Sequence, residues 1–283
     1  MAMGPASAVS ERSRQDRWPP TAAAWIDYLQ QVAARDELIA FLDDLLEAPG
    51  WDDYGPNGLQ VPGSETVELV ATGVSANREL FERAVEGGSQ LVLCHHGLFW
   101  DGQTRAIGAA LKARLEILFD ANLSLAAYHL PLDAHPEVGN NALIANALGL
   151  ERTEPFGSHR GRAIGVIGRT REPIPLASLV ERCAAAFGRE PLVFAAGPET
   201  VKSVGIVSGG GASSLADAAR QGLCAFVTGE PAEPSMADAR EAGVNFIAGG
   251  HYATETFGVR RLGDLLEQRF GVVHRFIDVP NPV

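Results

Sequence analysis

Residues 244–255 read VNFIAGGHYATE, an apolar run, two glycines, and then His251 four residues before Glu255. Five residues rich in β-branched and aromatic side chains, closed by Gly-Gly, read as a buried strand that ends in a tight turn. The following YATETFGVRRLGDLLEQ (252–268) has helical periodicity. If that helix starts at once, the i, i+4 spacing puts the His251 imidazole and the Glu255 carboxylate on one face of its first turn.

The same arrangement recurs along the chain. Gly88, Gly222 and Gly243 each close a helical segment, and Asn122 holds the equivalent place in a fourth. Glycine and asparagine are the residues that tolerate the left-handed conformation after a helix. Seven residues on from each lie His95, Gly229, Gly250 and His129, where the sequence turns polar: HHG, GE, GHYATE and HLPLD. Four helix–strand units therefore deliver polar residues to the carboxyl ends of strands, the edge at which open α/β sheets bind ligands.

Working outward, VELVATGV (67–74), QLVLC (90–94), LSLAAY (123–128), VKSVGIVS (201–208) and CAFVTGE (224–230) read as strands. NRELFERAVEGG, LKARLEILFDAN, ALIANALG, LASLVERCAAAFG, LADAARQG and MADAREAG read as the helices between them. Alternation of this kind predicts an α/β fold with mostly parallel sheets. An earlier helix is expected within residues 25–47, carried by Leu38, Phe41, Leu42, Leu45 and Leu46. The loop DDYGPNGLQ (52–60) offers Asp52, Asp53, Asn57 and Gln60 to a ligand. Residues 150–165, short on apolar periodicity, read as a boundary. The expected organisation is a tail (1–24), a first α/β lobe (25–150), a second, related lobe (151–245) and a C-terminal segment (246–283) that returns to the first lobe's site.

A chain of 283 residues with 46% hydrophobic and 20% charged residues has the composition of a soluble globular protein. Its net charge of −12 disfavours nucleic acid, because nothing offsets repulsion from a polyanion. Three scattered cysteines, Cys94, Cys183 and Cys224, make a disulfide framework implausible and a cytoplasmic location the expectation. No stretch is long and apolar enough to span a membrane.

Four of the seven histidines (His95, His96, His129 and His251) fall at the predicted sheet edge, with Asp133 and Glu255 for company. Imidazoles mixed with carboxylates suit a borderline divalent ion such as Zn, Fe, Mn, Ni or Co. Two ions fit the inventory, since carboxylates bridge and a pair of ions activates water for hydrolysis. Adjacent on a strand, His95 and His96 point to opposite faces, and each is expected to serve a different ion. Glu230 reads either as a partner to a ligand or as a general base, with a plain helix-start acid as the alternative. His135, His159 and His274 read as ordinary surface or loop residues. GGGASS (209–214) could cradle a phosphate with its amides, or be a tight strand–helix turn. Cys94, last in an apolar run, reads as a small buried side chain, and no G-x-S-x-G elbow supports serine hydrolysis.

Together DYGPNGLQV, CHHGLFW, AYHLPLDAHPEVGNN, TGE and GGHYATETFGV resemble the Nif-three-like family, dinuclear-metal proteins often named type 2 GTP cyclohydrolase I homologues. The resemblance runs from about residue 35 to residue 280. It implies a two-metal centre with ligands at His95, His96, Asp133, His251 and Glu255, and with His129 near or at the site. It also implies a toroidal homohexamer whose sites face an internal cavity. Where some members carry a histidine pair after TGE, this chain has Pro231 to Glu233. The name implies opening of a purine nucleotide's imidazole ring by metal-activated water, with His129 or Glu230 moving protons. Phosphoester and amide substrates fit the same site. A non-catalytic metal-handling or scaffold ring is the alternative from another class.

Overall fold

The computed structural model describes residues 32–283; the predicted tail and the first part of the predicted N-terminal helix lie outside them. The chain begins with β1 (Ala33–Ala34), α1 (Arg35–Leu46), β2 (Gly58–Val61) and β3 (Thr66–Val67). It continues through β4 (Leu69–Ser75), α2 (Arg78–Glu86), β5 (Leu91–His96), α3 (Ala109–Asp120) and β6 (Ser124–Ala127). Two short helices follow, α4 (Leu130–Ala134) and α5 (Asn140–Ala147). The remainder runs β7 (Glu151–His159), β8 (Arg162–Pro175), α6 (Leu176–Phe187), β9 (Leu192–Phe194) and β10 (Thr200–Val207). It then runs α7 (Leu215–Arg220), β11 (Ala225–Thr228), α8 (Ser235–Ala242), β12 (Asn245–Ala248), α9 (His251–Thr254), α10 (Thr256–Phe270) and β13 (Val273–Phe276).

These elements make two α/β sheets and a two-stranded antiparallel ribbon of β1 and β3. The first has the order β13-β4-β5-β6-β2, parallel except for β2. The second has the order β7-β8-β10-β11-β12-β9, with a parallel centre and antiparallel flanks. The first sheet is thus mostly parallel and the second mixed around a parallel centre. Period-two alternation assigns each face its cover. In the first sheet Val70, Val74, Leu91 and Leu93 pack under α1 and α10, whereas Ala71, Val92 and Cys94 pack under α2 and α3. In the second, Val204, Ile206, Val227 and Ile247 meet α5 and α6, and Phe226 and Phe246 meet α7 and α8. Among the described residues, no helix is long and apolar enough to cross a membrane.

The four helix-ending positions identified in the sequence all have positive φ: Gly88 at 76°, Asn122 at 50°, Gly222 at 64° and Gly243 at 65°. Each turns the chain into the strand that follows, so the seven-residue count lands on equivalent strand ends.

Two expectations are corrected, and one region takes a form the sequence did not announce. Residues 150–165, read as a boundary, form much of a long antiparallel hairpin, β7 against β8, with which the second sheet begins. The tip of that hairpin grips the loop after α1, with the Arg162 guanidinium 4.1 Å from the centre of the Trp51 ring and its Nη1 donating to the Gly50 carbonyl at 2.6 Å. Arg160 pairs with Asp52 in the same clasp. The helix expected to start beside His251 is broken at Glu255, whose φ of −109° and ψ of 5° separate α9 from α10. His274, finally, is buried between sheet and helix rather than on the surface.

Candidate metal centre

The carboxyl ends of the two parallel strand sets face one another across a cleft, and the predicted residues meet there. His95 and His96 end β5, His129 follows β6, Asp133 sits in α4, and His251 and Glu255 follow β12. Donor atoms of three overlapping groups lie within 4.8 Å of one another: His95, His96 and His129; His96, His251 and Glu255; His95, Asp133 and Glu255.

Each imidazole is turned by an outer partner on its Nδ1. The His95 Nδ1 lies 3.0 Å from the Tyr128 carbonyl oxygen, which can only accept, so that nitrogen carries the proton. The His129 Nδ1 lies 2.7 Å from Asp53 Oδ1, the His251 Nδ1 3.2 Å from Glu230 Oε1, and the His96 Nδ1 3.0 Å from Ser75 Oγ. Partners of this kind fix the ring and leave Nε2 as the metal-facing nitrogen. Asp133 is handled likewise. Its Oδ1 accepts from Asn140 Nδ2 and from Ser208 Oγ, both at 2.9 Å, which leaves Oδ2 toward His95 Nε2 at 3.6 Å.

Glu255 is the hub. Its Oε1 lies 3.4 Å from His95 Nε2 and 3.2 Å from His251 Nε2, and its Oε2 lies 3.3 Å from His96 Nε2. His95 Nε2 and Glu255 Oε2 are buried without a hydrogen-bond partner, an arrangement that costs about 1–3 kcal/mol per group unless something else satisfies it. Donors about 2.1 Å from a tetrahedral ion stand about 3.4 Å apart. The observed spacings of 3.2–3.6 Å are those of a coordination shell, so the residues fit divalent ions.

The charge balance agrees. Burial opposes protonation of His95, but Asp133 and Glu255 overcome it and raise its pKa to about 9. The bond to Glu255 lifts His251 to about 9 against burial. Burial alone would push Glu255 up, yet the surrounding histidines hold it well below the usual carboxylate range. Burial lowers His96. Protonated, His95 and His251 supply positive charge beside Glu255.

Glycine makes the approach possible. A Cβ at Gly209 would fall 2.0 Å from Glu255 Oε1, and one at Gly229 would fall 2.7 Å from the His251 Cα.

Several residues position the site in ways the sequence did not reveal. Asp53, Asn57 and Gln60, expected to serve a ligand, are not among the residues that line the cleft. Asp53 holds His129, Asn57 Oδ1 accepts from the His129 amide at 2.8 Å, and Gln60 Oε1 accepts from the Leu98 amide at 2.8 Å. The Trp100 ring lies edge-on to His129 with centroids 5.0 Å apart. His159, read as an idle loop residue, lines the cleft, with its Nδ1 3.1 Å from the Tyr54 hydroxyl. His135 caps its own turn, its Nδ1 accepting from the Glu137 and Val138 amides. Cys94 lies fully buried, and burial pushes its thiol pKa up. The cleft itself measures about 660 Å³, room for a small-molecule ligand.

Two mostly parallel sheets whose strand ends enclose a cluster of imidazoles and carboxylates define the class, an α/β protein with a candidate metal site. Sequence comparison places the chain within it: residues 33–282 match the Duf34/NIF3 (NGG1p interacting factor 3) model, and the chain belongs to that family. It is 42% identical over 249 residues to the GTP cyclohydrolase 1 type 2 homolog of Pseudomonas aeruginosa, covering 88% of this chain and 98% of that one. Among solved structures it is similar to protein ybgI (TM-score 0.84, 40% identity, 89% of this chain and 100% of that one). It is also similar to TTHA1606 from Thermus thermophilus (TM-score 0.81, 38% identity, 89% and 100%).

Proposed function

We propose that the chain is a metal-dependent hydrolase with a dinuclear centre, of the type that the name of its Pseudomonas relative suggests. The supporting observation is the common orientation of four imidazoles whose Nδ1 is held by an outer partner, three of which (His95, His96 and His251) turn Nε2 onto Asp133 or Glu255, at a cleft open to small molecules. His95, His96, Asp133, His251 and Glu255 would hold two divalent ions (Zn, Fe, Mn, Ni or Co), with Glu255 as the shared carboxylate. Such ions supply a water of lowered pKa and a Lewis acid for the substrate.

The chain's own groups do the rest. Glu230 keeps one oxygen on His251 and is itself partly exposed, which suits it to pass a proton between the site and solvent. His129 stands within ligand distance of His95 and His96; anchored by Asp53, it either joins the ligands or moves a proton at the cleft. Trp100, edge-on to His129 and tilted against His96, keeps bulk water from the imidazoles. Purine nucleotides, phosphoesters and amides are the candidate substrates, and the toroidal homohexamer and cytoplasmic setting belong to the same reading.

The test is metal analysis of the purified protein, paired with turnover of GTP and a panel of phosphoesters before and after chelation. Turnover lost on chelation and restored by one ion is the expected result. Full metal content without turnover on any compound would favour metal handling, and absence of metal would overturn the centre itself.

A further inference from the structure

The cleft wall beyond the ligand cluster has a chemistry of its own. Asp133 and Glu255 are the carboxylates that line the cleft, and both belong to the metal cluster. Along the rest of the wall stands Arg114, half-buried on α3. Its guanidinium has no acidic, carbonyl or aromatic partner among the described residues, and it is the arginine that lines the cleft. In a chain of net charge −12, a free arginine kept inside a cleft points to an anionic ligand.

Other uncommitted donors line the same cleft, Asn77 on the side of the first sheet with Arg114, and Ser158, Gly210, Gly211 and Ser213 on the side of the second. Asn77 uses its Oδ1 to accept the Leu80 amide, which leaves its NH₂ group unused. The Ser158 and Ser213 hydroxyls line the cleft without a protein partner among the described residues. The amides of Gly210 and Gly211, from the GGGASS turn, meet no acceptor among the described residues. A Cβ at Gly210 would lie 3.6 Å from Glu230 Oε1 and 3.8 Å from His251 Cε1, so this turn runs alongside the ligand cluster, with the Glu230 carboxylate engaged by His251 at 3.2 Å.

We propose that this part of the cleft, between Arg114 on one side and the GGGASS turn on the other, is a phosphate-binding subsite, and that the substrate is a small molecule bearing a phosphate group. The planar guanidinium fork matches a phosphate's oxygens bidentately, and hydroxyl and amide donors complete its shell. A tetrahedral phosphate offers more acceptor sites to such a dispersed donor set than a planar carboxylate does. The proposal rests on the hydrolase reading for the reacting end of the substrate, while the subsite itself is made of protein donors alone.

Titration calorimetry with inorganic phosphate tests it, on metal-loaded and on chelated protein, with acetate as the comparison anion. Arg114→Gln is expected to weaken phosphate binding at least tenfold in both forms with metal content unchanged, and Ser213→Ala to weaken it a few-fold. Arg114→Lys, which keeps the charge and loses the fork, should fall between. Phosphate binding of Arg114→Gln equal to that of the native protein would overturn the subsite, because the ions alone would then hold the anion. Acetate bound as tightly as phosphate would overturn the ligand class. Lack of metal in the native protein would sink the hydrolase reading and leave the chelated comparison standing.

Discussion

Asp53 grips His129 from outside the cluster. Its Oδ1 lies 2.7 Å from the imidazole Nδ1, and its Oδ2 accepts from Asn57 Nδ2 and the Leu130 amide, both at 2.9 Å. Burial pushes this carboxyl up, but the bonds from His129 and Asn57 overcome it and lower its pKa to about 2. It is therefore an ionised acceptor across the working pH range, and it keeps the His129 proton on Nδ1. Asp53→Asn preserves shape and removes the charge. Outer partners of metal-bound histidines are worth about 10- to 100-fold in affinity. Metal titration of this variant is expected to show a loss of that size with unchanged circular dichroism. Native affinity would mean that His129 is not a ligand and would leave it the proton-moving role.

Glu255 touches three histidines, whereas Asp133 touches one. Glu255→Gln should therefore empty both metal positions and Asp133→Asn chiefly one. Elemental analysis of the two purified variants gives the ratio directly. Equal losses would contradict a shared carboxylate. His251→Ala is expected to lower metal content with the fold intact.

The backbone at Gly209 admits no side chain. Its φ is +59° and a Cβ would collide with Glu255 Oε1. Gly209→Ala carries a left-handed penalty of about 1–2 kcal/mol and displaces the hub carboxylate, so metal retention should fall along with thermal stability. At Gly210 the nearest atom to a Cβ is 3.6 Å away, and Gly210→Ala should retain its metal. If both variants behave alike, close approach at Gly209 is not what shapes the site.

Protons and metal compete for the same nitrogens. In the chelated protein His95 and His251 have pKa values raised to about 9, from 6.5 when unfolded. A raised histidine stabilises the fold fully below its unfolded pKa and loses that contribution as pH rises through the folded value. Thermal unfolding of chelated protein should therefore drop in temperature between about pH 6.5 and 9. Metal affinity should rise over the same window, with protons released on binding. A flat affinity profile from about pH 6.5 to 9 would show that these imidazoles are not ligands.

Most of the fold was legible because strands such as Val70 to Val74 alternate between two apolar faces and the helices close on Gly or Asn. The β7–β8 hairpin was not legible. It carries Pro155, Gly157, Ser158 and His159, and its pairing is imposed by β8 and β10 rather than by an apolar pattern of its own. The break at Glu255 has no proline or glycine to announce it. It follows from tertiary bonds, among them the Gly209 amide donating to Thr254 Oγ1 at 3.0 Å. The site's imidazoles and acids could be found because they stand at strand ends. Of their outer partners Glu230, read as a possible partner to a ligand, was legible; others were not, since one is a backbone carbonyl at Tyr128 and another, Asp53, is 76 residues away from the histidine it holds.

His274 shows the same limit away from the site and gives a separable prediction. Its Nε2 lies 2.8 Å from Thr72 Oγ1 and its Nδ1 3.0 Å from Asp264 Oδ1, which ties β13 to β4 and to α10. A Cβ at Gly263 would fall 2.1 Å from the His274 Nε2, so helix and ring are in direct contact. With Thr72 fully buried in its strand, no substrate reaches this Thr–His–Asp array, and its work is mechanical. His274→Ala leaves the Thr72 hydroxyl unpaired and a cavity beneath α10. The expected cost is about 2–4 kcal/mol of unfolding free energy. Because α10 begins one residue after Glu255, denaturant melts and metal analysis of the same variant separate two outcomes. Loss of stability with full metal content is expected if the break at Glu255 isolates the ligand from the helix. Loss of metal in a still-folded variant would mean that α10 itself holds the hub carboxylate in place.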